Sequence, residues 1–260
     1  MRLSAVAKGS VPAARPDLGL TDMDDYENLR LAGLTLTPGK QETVDGRYRI
    51  QWYDEPLSGV SMFRVVSGYP ADATTAINRI LERQHYAEID TRLSCAGSDG
   101  KSGVDSSSLS SRFMDDRWVS FSWQSSWFCT GNAHPDFDVT GTTIDARSGR
   151  ELALEDLLWF GTGAKPQPDT DGWYDYRSKV FAPAVIDLFK KLHPDEMKSG
   201  DDDCNYDDPD VWSFPVWYLS DQGLYLGAYF PRAARPCDNP DWSVVPWARL
   251  KTLNPALFSG

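Results

Sequence analysis

The residues from Phe128 to Pro135, Phe128-Cys129-Thr130-Gly131-Asn132-Ala133-His134-Pro135, hold the side chain best suited to acid–base work, His134, one of three histidines in the chain. Ser125, Ser126, Asp136 and Asp138 lie close to it in sequence. A catalytic histidine needs a nucleophile and an orienting acid within hydrogen-bond reach. These neighbours fall into no recognised nucleophile motif, so the spacing does not define a catalytic site. The plainer expectation is a ring that bonds backbone carbonyls and holds a proline-containing turn. His134 and Asn132 remain candidates for binding.

Two acidic stretches invite a cation. Asp169, Asp171 and Asp175 give alternating carboxylates, and Asp201–Asp203 with Asp207, Asp208 and Asp210 give density. Calcium takes about 6–8 oxygens, but a loop with a closing glutamate is missing from both stretches, so solvated acidic loops are the default reading. No cofactor-binding loop occurs. The chain's ten tryptophans offer another chemistry, the stacking of apolar ring faces. Of Trp118, Trp123, Trp127, Trp212, Trp217 and Trp242, alternation along the strand puts Trp123 on the covered face. Trp118 and Trp127 then become the surface candidates for binding.

Composition limits the partners. A net charge of −12 argues against nucleic acid, which needs a basic surface, and against anionic membranes. It would steer a basic partner toward the protein. No apolar run approaches the ~20 residues of a membrane span. The N-terminus is basic but lacks the unbroken apolar core of a signal peptide, and a removed leader or lipid anchor is left open. Four cysteines, Cys95, Cys129, Cys204 and Cys237, show no zinc spacing. As disulfides they imply an oxidising compartment; as reduced thiols, a cytosolic one. Of the three pairings, Cys95–Cys129 with Cys204–Cys237 keeps each bridge within one structural unit and is the one expected.

The elements that must position these residues follow from periodicity. Residues 1–45 read as an N-terminal arm or leader remnant. Strands are expected at Arg47–Tyr53 and Val60–Val66. A helix follows over Pro70–Asp90, with Ala73, Ala76, Ile77, Ile80 and Leu81 as its stripe. Residues 96–111, rich in Gly and Ser, read as a loop. Strand Arg117–Gln124 alternates, with Val119, Phe121 and Trp123 on the covered face of an antiparallel sheet. A strand at Val139–Asp145 turns through Ala146–Gly149 into Arg150–Leu152, and Gly149 supplies the positive φ. A short helix spans Leu154–Phe160, and a longer one Tyr176–His193, with Pro183 in its first turn or at a kink. A hairpin at Trp212–Leu219 and Leu224–Phe230 closes the pattern with Ser243–Trp247. Strands and helices do not alternate regularly, so the class is α+β: mainly antiparallel sheets packed against two principal helices and stapled by two disulfides. The expected organisation is an arm (1–45), a strand–helix segment (46–116) and an α+β domain (117–260), the last two packed as one unit.

The motif at Cys129–Pro135, followed by Ile144-Asp145-Ala146-Arg147-Ser148-Gly149-Arg150-Glu151-Leu152-Ala153-Leu154-Glu155-Asp156-Leu157-Leu158, resembles a widespread bacterial domain of unknown function. Trp217–Leu226 is similar to that family's C-terminal signature, and Val60–Asp90 resembles its companion segment. The same domain forms the extracellular part of lysozyme-sensing anti-sigma factors and precedes the catalytic domain of some polysaccharide deacetylases. The resemblance implies an exported, periplasmic or extracellular protein with a mixed α+β fold. This chain carries neither a deacetylase domain nor a sigma-binding segment, so neither role transfers.

The function expected is therefore a non-enzymatic binding protein of the cell envelope, with peptidoglycan or a basic lysozyme-like protein as partner. A polysaccharide hydrolase using His134 and a structural envelope protein are the alternatives.

Overall fold

Helix α1, Ala71–Cys95, buries Ala73, Ile77, Leu81, His85 and Ile89, one residue per turn down a single stripe. In the expected stripe Ala76 and Ile80 are only half-buried, and the helix runs on past Asp90 to Cys95. The computed structural model describes residues 30–95, 103–129, 132–198 and 204–258. Thr130, Gly131, Asp201–Asp203 and most of the expected arm lie outside these residues.

The chain divides into two units, each assembled from several stretches of sequence. The first takes the described residues up to Ser108 with Ser125–Phe137 and Arg147–Gly149; the second takes Leu109–Gln124, Asp138–Ala146 and the residues from Arg150.

In the first unit, β1 (Thr37–Val44), β2 (Tyr48–Glu55) and β3 (Val60–Ser67) form an antiparallel sheet in that order. Strand β1 stands where an extended arm was expected, and Leu31 and Leu34 just before it are buried. Asp45 and Gly46 both have positive φ, as a primed hairpin turn requires. Ile50, Met62, Phe63 and Val65 are buried, and β3 packs against α1 in this unit's core. The Asn78 side chain ties helix to strand. Its Oδ1 accepts from the Val65 N–H at 2.7 Å, and its Nδ2 donates to the Val65 carbonyl at 2.8 Å. Gly149 has φ +71°, and a Cβ there would lie 2.3 Å from Ala76 Cβ, so the turn demands glycine for packing as well as for backbone freedom.

The third sheet element begins where a loop was expected. Residues 103–114 form strand β4, followed by β5 (Trp118–Phe128), β6 (Asp136–Asp145) and β7 (Arg150–Glu151), in the order β4-β5-β6-β7. Serine's small side chains fit a strand, and their hydroxyls pair across it. Ser107 meets Ser125 at 3.1 Å in the first unit, and Ser110 meets Ser122 at 2.8 Å in the second. The β6–β7 hairpin matches the turn expected at Ala146–Gly149.

The second unit adds helices α2 (Leu154–Leu157), α3 (Asp171–Tyr176), α4 (Ala182–Leu192) and α5 (Asp210–Ser213). A sheet ordered β10-β9-β8 follows, from β8 (Val216–Leu219), β9 (Gly223–Gly227) and β10 (Val244–Pro246), with α6 (Trp247–Leu253) and α7 (Pro255–Phe258) closing the chain. Between α3 and α4, residues Arg177–Phe181 widen into a π-helical turn. Pro183 explains it: the ring lacks an N–H and crowds the carbonyl four residues back, so the preceding turn opens. Phe181, Phe189 and Trp212 are fully buried at the centre of this unit's core.

Both disulfides form as expected, Cys95–Cys129 in the first unit and Cys204–Cys237 in the second. The fold is α+β with antiparallel sheets.

Strand β5 differs from the one-sided pattern read from its alternation, because Trp118 through Trp123 are all buried. The serine face is covered too. Ser120 Oγ accepts from the Leu219 N–H at 2.8 Å and meets Thr143 Oγ1 at 2.7 Å.

Candidate functional site

The turn that carries His134 satisfies its own ring. Nδ1–H donates to the Pro135 carbonyl at 2.9 Å, a local bond that holds the turn. The serines named with it are spent elsewhere: Ser125 on Ser107, and Ser126 on Ser106 at 2.8 Å. Asp136 accepts from the Phe137 N–H at 2.9 Å. Asn132 is exposed and Trp127 half-buried in this same first unit.

Trp118 is removed from the surface candidates. It is 4% exposed, stacked on Trp247 at 5.4 Å and edge-on to Phe258 at 5.6 Å, so α6 and α7 cover its ring. Sequence alternation could not show this, because the covering residues lie more than a hundred positions away. The other two histidines are structural in the same sense as His134. His193 Nε2–H donates to the Val244 carbonyl at 3.0 Å, and His85 Nε2–H to the Val60 carbonyl at 3.2 Å.

Asp169, Asp171 and Asp175 do not converge. Asp169 accepts from the Tyr174 hydroxyl at 3.4 Å, and Asp175 pairs with Lys179 at 2.7 Å. Among the described residues no group of three His, Cys, Asp or Glu side chains is placed to hold a metal ion. No helix among them is long and apolar enough to cross a membrane.

A concave site does occur in the second unit. Asp138–Gly141 of β6, Phe214–Trp217, Gly227, Tyr229 and Asn239 line a cleft of about 340 Å³. That volume lies at the lower end of the ~300–1,000 Å³ typical of small-molecule sites. Two of its lining residues meet by a close backbone approach: a Cβ on Gly141 would fall 1.9 Å from the Trp217 carbonyl oxygen. Aromatic faces form its rim, with Phe214 47% and Tyr229 57% exposed. Arg235 lies 5.0 Å from the Tyr229 ring and pairs with Asp238 at 3.1 Å, which fixes that side of the cleft. Asn239, at φ +53°, adds an amide, and Asp138 a carboxyl. Such a mixture suits a ligand with apolar faces and polar edges.

Behind the Phe214 wall stands a buried ion pair. Glu155 and Arg177 have side chains only 5% and 6% exposed, and the guanidinium is bidentate, Nε to Oε1 at 2.7 Å and Nη2 to Oε2 at 3.2 Å. Trp173, four residues before Arg177 and so on the same helix face, donates its indole N–H to Glu155 Oε1 at 2.8 Å. Arg177 lies 5.0 Å from the Trp173 ring and 4.8 Å from that of Phe181. The Trp173 ring in turn meets Phe214 at 5.2 Å, and Tyr174 meets Phe214 at 5.7 Å. Burial pushes the neighbouring Tyr176 hydroxyl up to about 12, and this hydroxyl accepts the Phe160 N–H at 3.2 Å. It is held protonated as a structural group.

The arrangement defines a class, an α+β protein with two disulfides and an aromatic-rimmed cleft supported by a buried ion pair. No family model and no curated protein matches the chain. Among solved structures it is similar to the crystal structure of a DUF3298 family protein from Pseudomonas aeruginosa PAO1, at 18% identity and a TM-score of 0.37, over 87% of this chain and 94% of that one.

Of the residues read from sequence as stacking candidates, only Trp217 lines the cleft. Phe214, Tyr229 and Asn239 come from separate loops and carry no periodic signal. The spacing of Trp173 and Arg177 at i, i+4 is the one local clue that reasoning from the chain had available.

Proposed function

We propose that the protein is an exported, non-catalytic binding protein of the cell envelope, and that the second unit's cleft receives a cell-wall glycan. The observation that carries this reading is the exposed aromatic rim of Phe214 and Tyr229 above polar Asn239 and Asp138. Sugar rings present apolar C–H faces and hydroxyl edges, which such a lining complements. Two disulfides support an oxidising location. Calorimetry against soluble peptidoglycan fragments tests the proposal. Saturable binding that is weakened by Trp217→Ala and unchanged by His134→Ala supports it. Turnover of a glycan that disappears in a folded His134→Ala variant would overturn it in favour of a hydrolase.

A basic lysozyme-like protein is the second reading, favoured by the net charge of −12. It predicts tight binding to lysozyme that weakens steeply with salt and is indifferent to Trp217→Ala.

A further inference from the structure

We infer that the cleft is the inner part of a longer site, and that Trp173, Tyr174 and Phe214 form an outer subsite for the next sugar of the same chain. The inference rests on the glycan reading above. Phe214 is the hinge of the argument, because it both lines the cleft and packs against Trp173 and Tyr174. A chain leaving the cleft across Phe214 therefore meets Tyr174, which is 47% exposed. The platform is braced from beneath. Trp173 is held by its indole bond to Glu155 and by the guanidinium of Arg177 beside its ring. The bidentate Glu155–Arg177 pair fixes the Trp173 ring orientation, since a desolvated charge pair persists only in a well-satisfied geometry. Rings fixed before the ligand arrives lose little conformational freedom on binding.

The local charge selects the occupant. Lys179 beside the platform is already paired with Asp175, and Asp169 accepts from the Tyr174 hydroxyl at 3.4 Å, so an anionic chain would meet a carboxylate at the Tyr174 edge. Uncharged sugars with apolar faces fit it.

Calorimetry with chitobiose and chitotetraose tests the inference. The expected result is about tenfold tighter binding of the tetrasaccharide, equivalent to ~1.4 kcal/mol. Tyr174→Ala, a change at an exposed ring, should erase that gain and leave chitobiose affinity unchanged, whereas Trp217→Ala should weaken both. Equal affinity for the two lengths, or a Tyr174→Ala variant that weakens both equally, overturns the outer subsite and leaves the cleft reading standing. Binding of neither sugar overturns the outer subsite, while the cleft reading is decided by the titration with peptidoglycan fragments.

Discussion

Acidification from about pH 7 to about pH 4 should remove about 3 kcal/mol of stability through one residue, His85. Its ring is fully buried in α1, with Nε2–H donating to the Val60 carbonyl at 3.2 Å and Nδ1 facing an Arg64 guanidinium nitrogen at 3.4 Å. Burial is the main reason its pKa falls from 6.5 to about 4, and the Arg64 charge adds to it, opposed by the Val60 bond and by Asp54 and Glu55. Arg64 is itself pulled down to about 10 by burial, against Glu82 and Tyr53. Between the two His85 values the unfolded chain binds a proton that the folded chain refuses, so stability rises with pH across this window. The contribution is complete above 6.5 and lost as pH falls through about 4. At ~1.4 kcal/mol per tenfold change in proton affinity, the shift gives the figure of about 3 kcal/mol. Urea unfolding of the wild type and of His85→Gln, each followed from neutral to acid pH, isolates it, because the carboxylates titrate in both proteins. The stability difference between the two should shrink by about 3 kcal/mol toward pH 4. Parallel pH curves, or an NMR titration of His85 near its ordinary value, would refute the reasoning.

Glu155→Gln leaves the buried Arg177 guanidinium without its counter-charge and should cost about 3–5 kcal/mol in urea unfolding. The double change Glu155→Met with Arg177→Met should cost much less. Cys204→Ser paired with Cys237→Ser opens a bridge that spans a sequence separation of 33 and should lower stability by about 3–4 kcal/mol, read as a drop in Tm. Gly141→Ala puts a methyl against the Trp217 carbonyl; thermal unfolding should show a loss of about 1–3 kcal/mol, with weakened ligand affinity as the cleft lining spreads.

How much of this was legible beforehand depended on whether a feature is local. The α1 helix and the Gly149 hairpin follow from spacing within one element or one turn, and the pairing of the cysteines from keeping each bridge within one structural unit; each was readable. Strand β4 was hidden because a serine run has turn composition, and its stabilising hydroxyl pairs depend on β5. Trp118 looked exposed because it shares its strand face with Ser120 and Ser122; Trp247 and Phe258 decide otherwise from the far end of the chain. The cleft was least legible. It is assembled from β6, the start of β8 and the loops around Tyr229 and Asn239, which no periodicity links.

The Asn78 bridge to β3 has a consequence for how this sheet meets other chains. Among the described residues, in the order β1-β2-β3, strand β3 has a neighbour on one side only, and an outer row of N–H and C=O groups invites a further strand. Asn78 takes both polar groups of Val65, and Arg64 Nη1 donates to the Phe63 carbonyl at 2.9 Å. Side chains thereby stand in for a fourth strand and close the row to pairing. Sheet growth by edge-to-edge addition, the first step toward swapped dimers and fibrils, is blocked at the middle of β3 by a single amide from a helix.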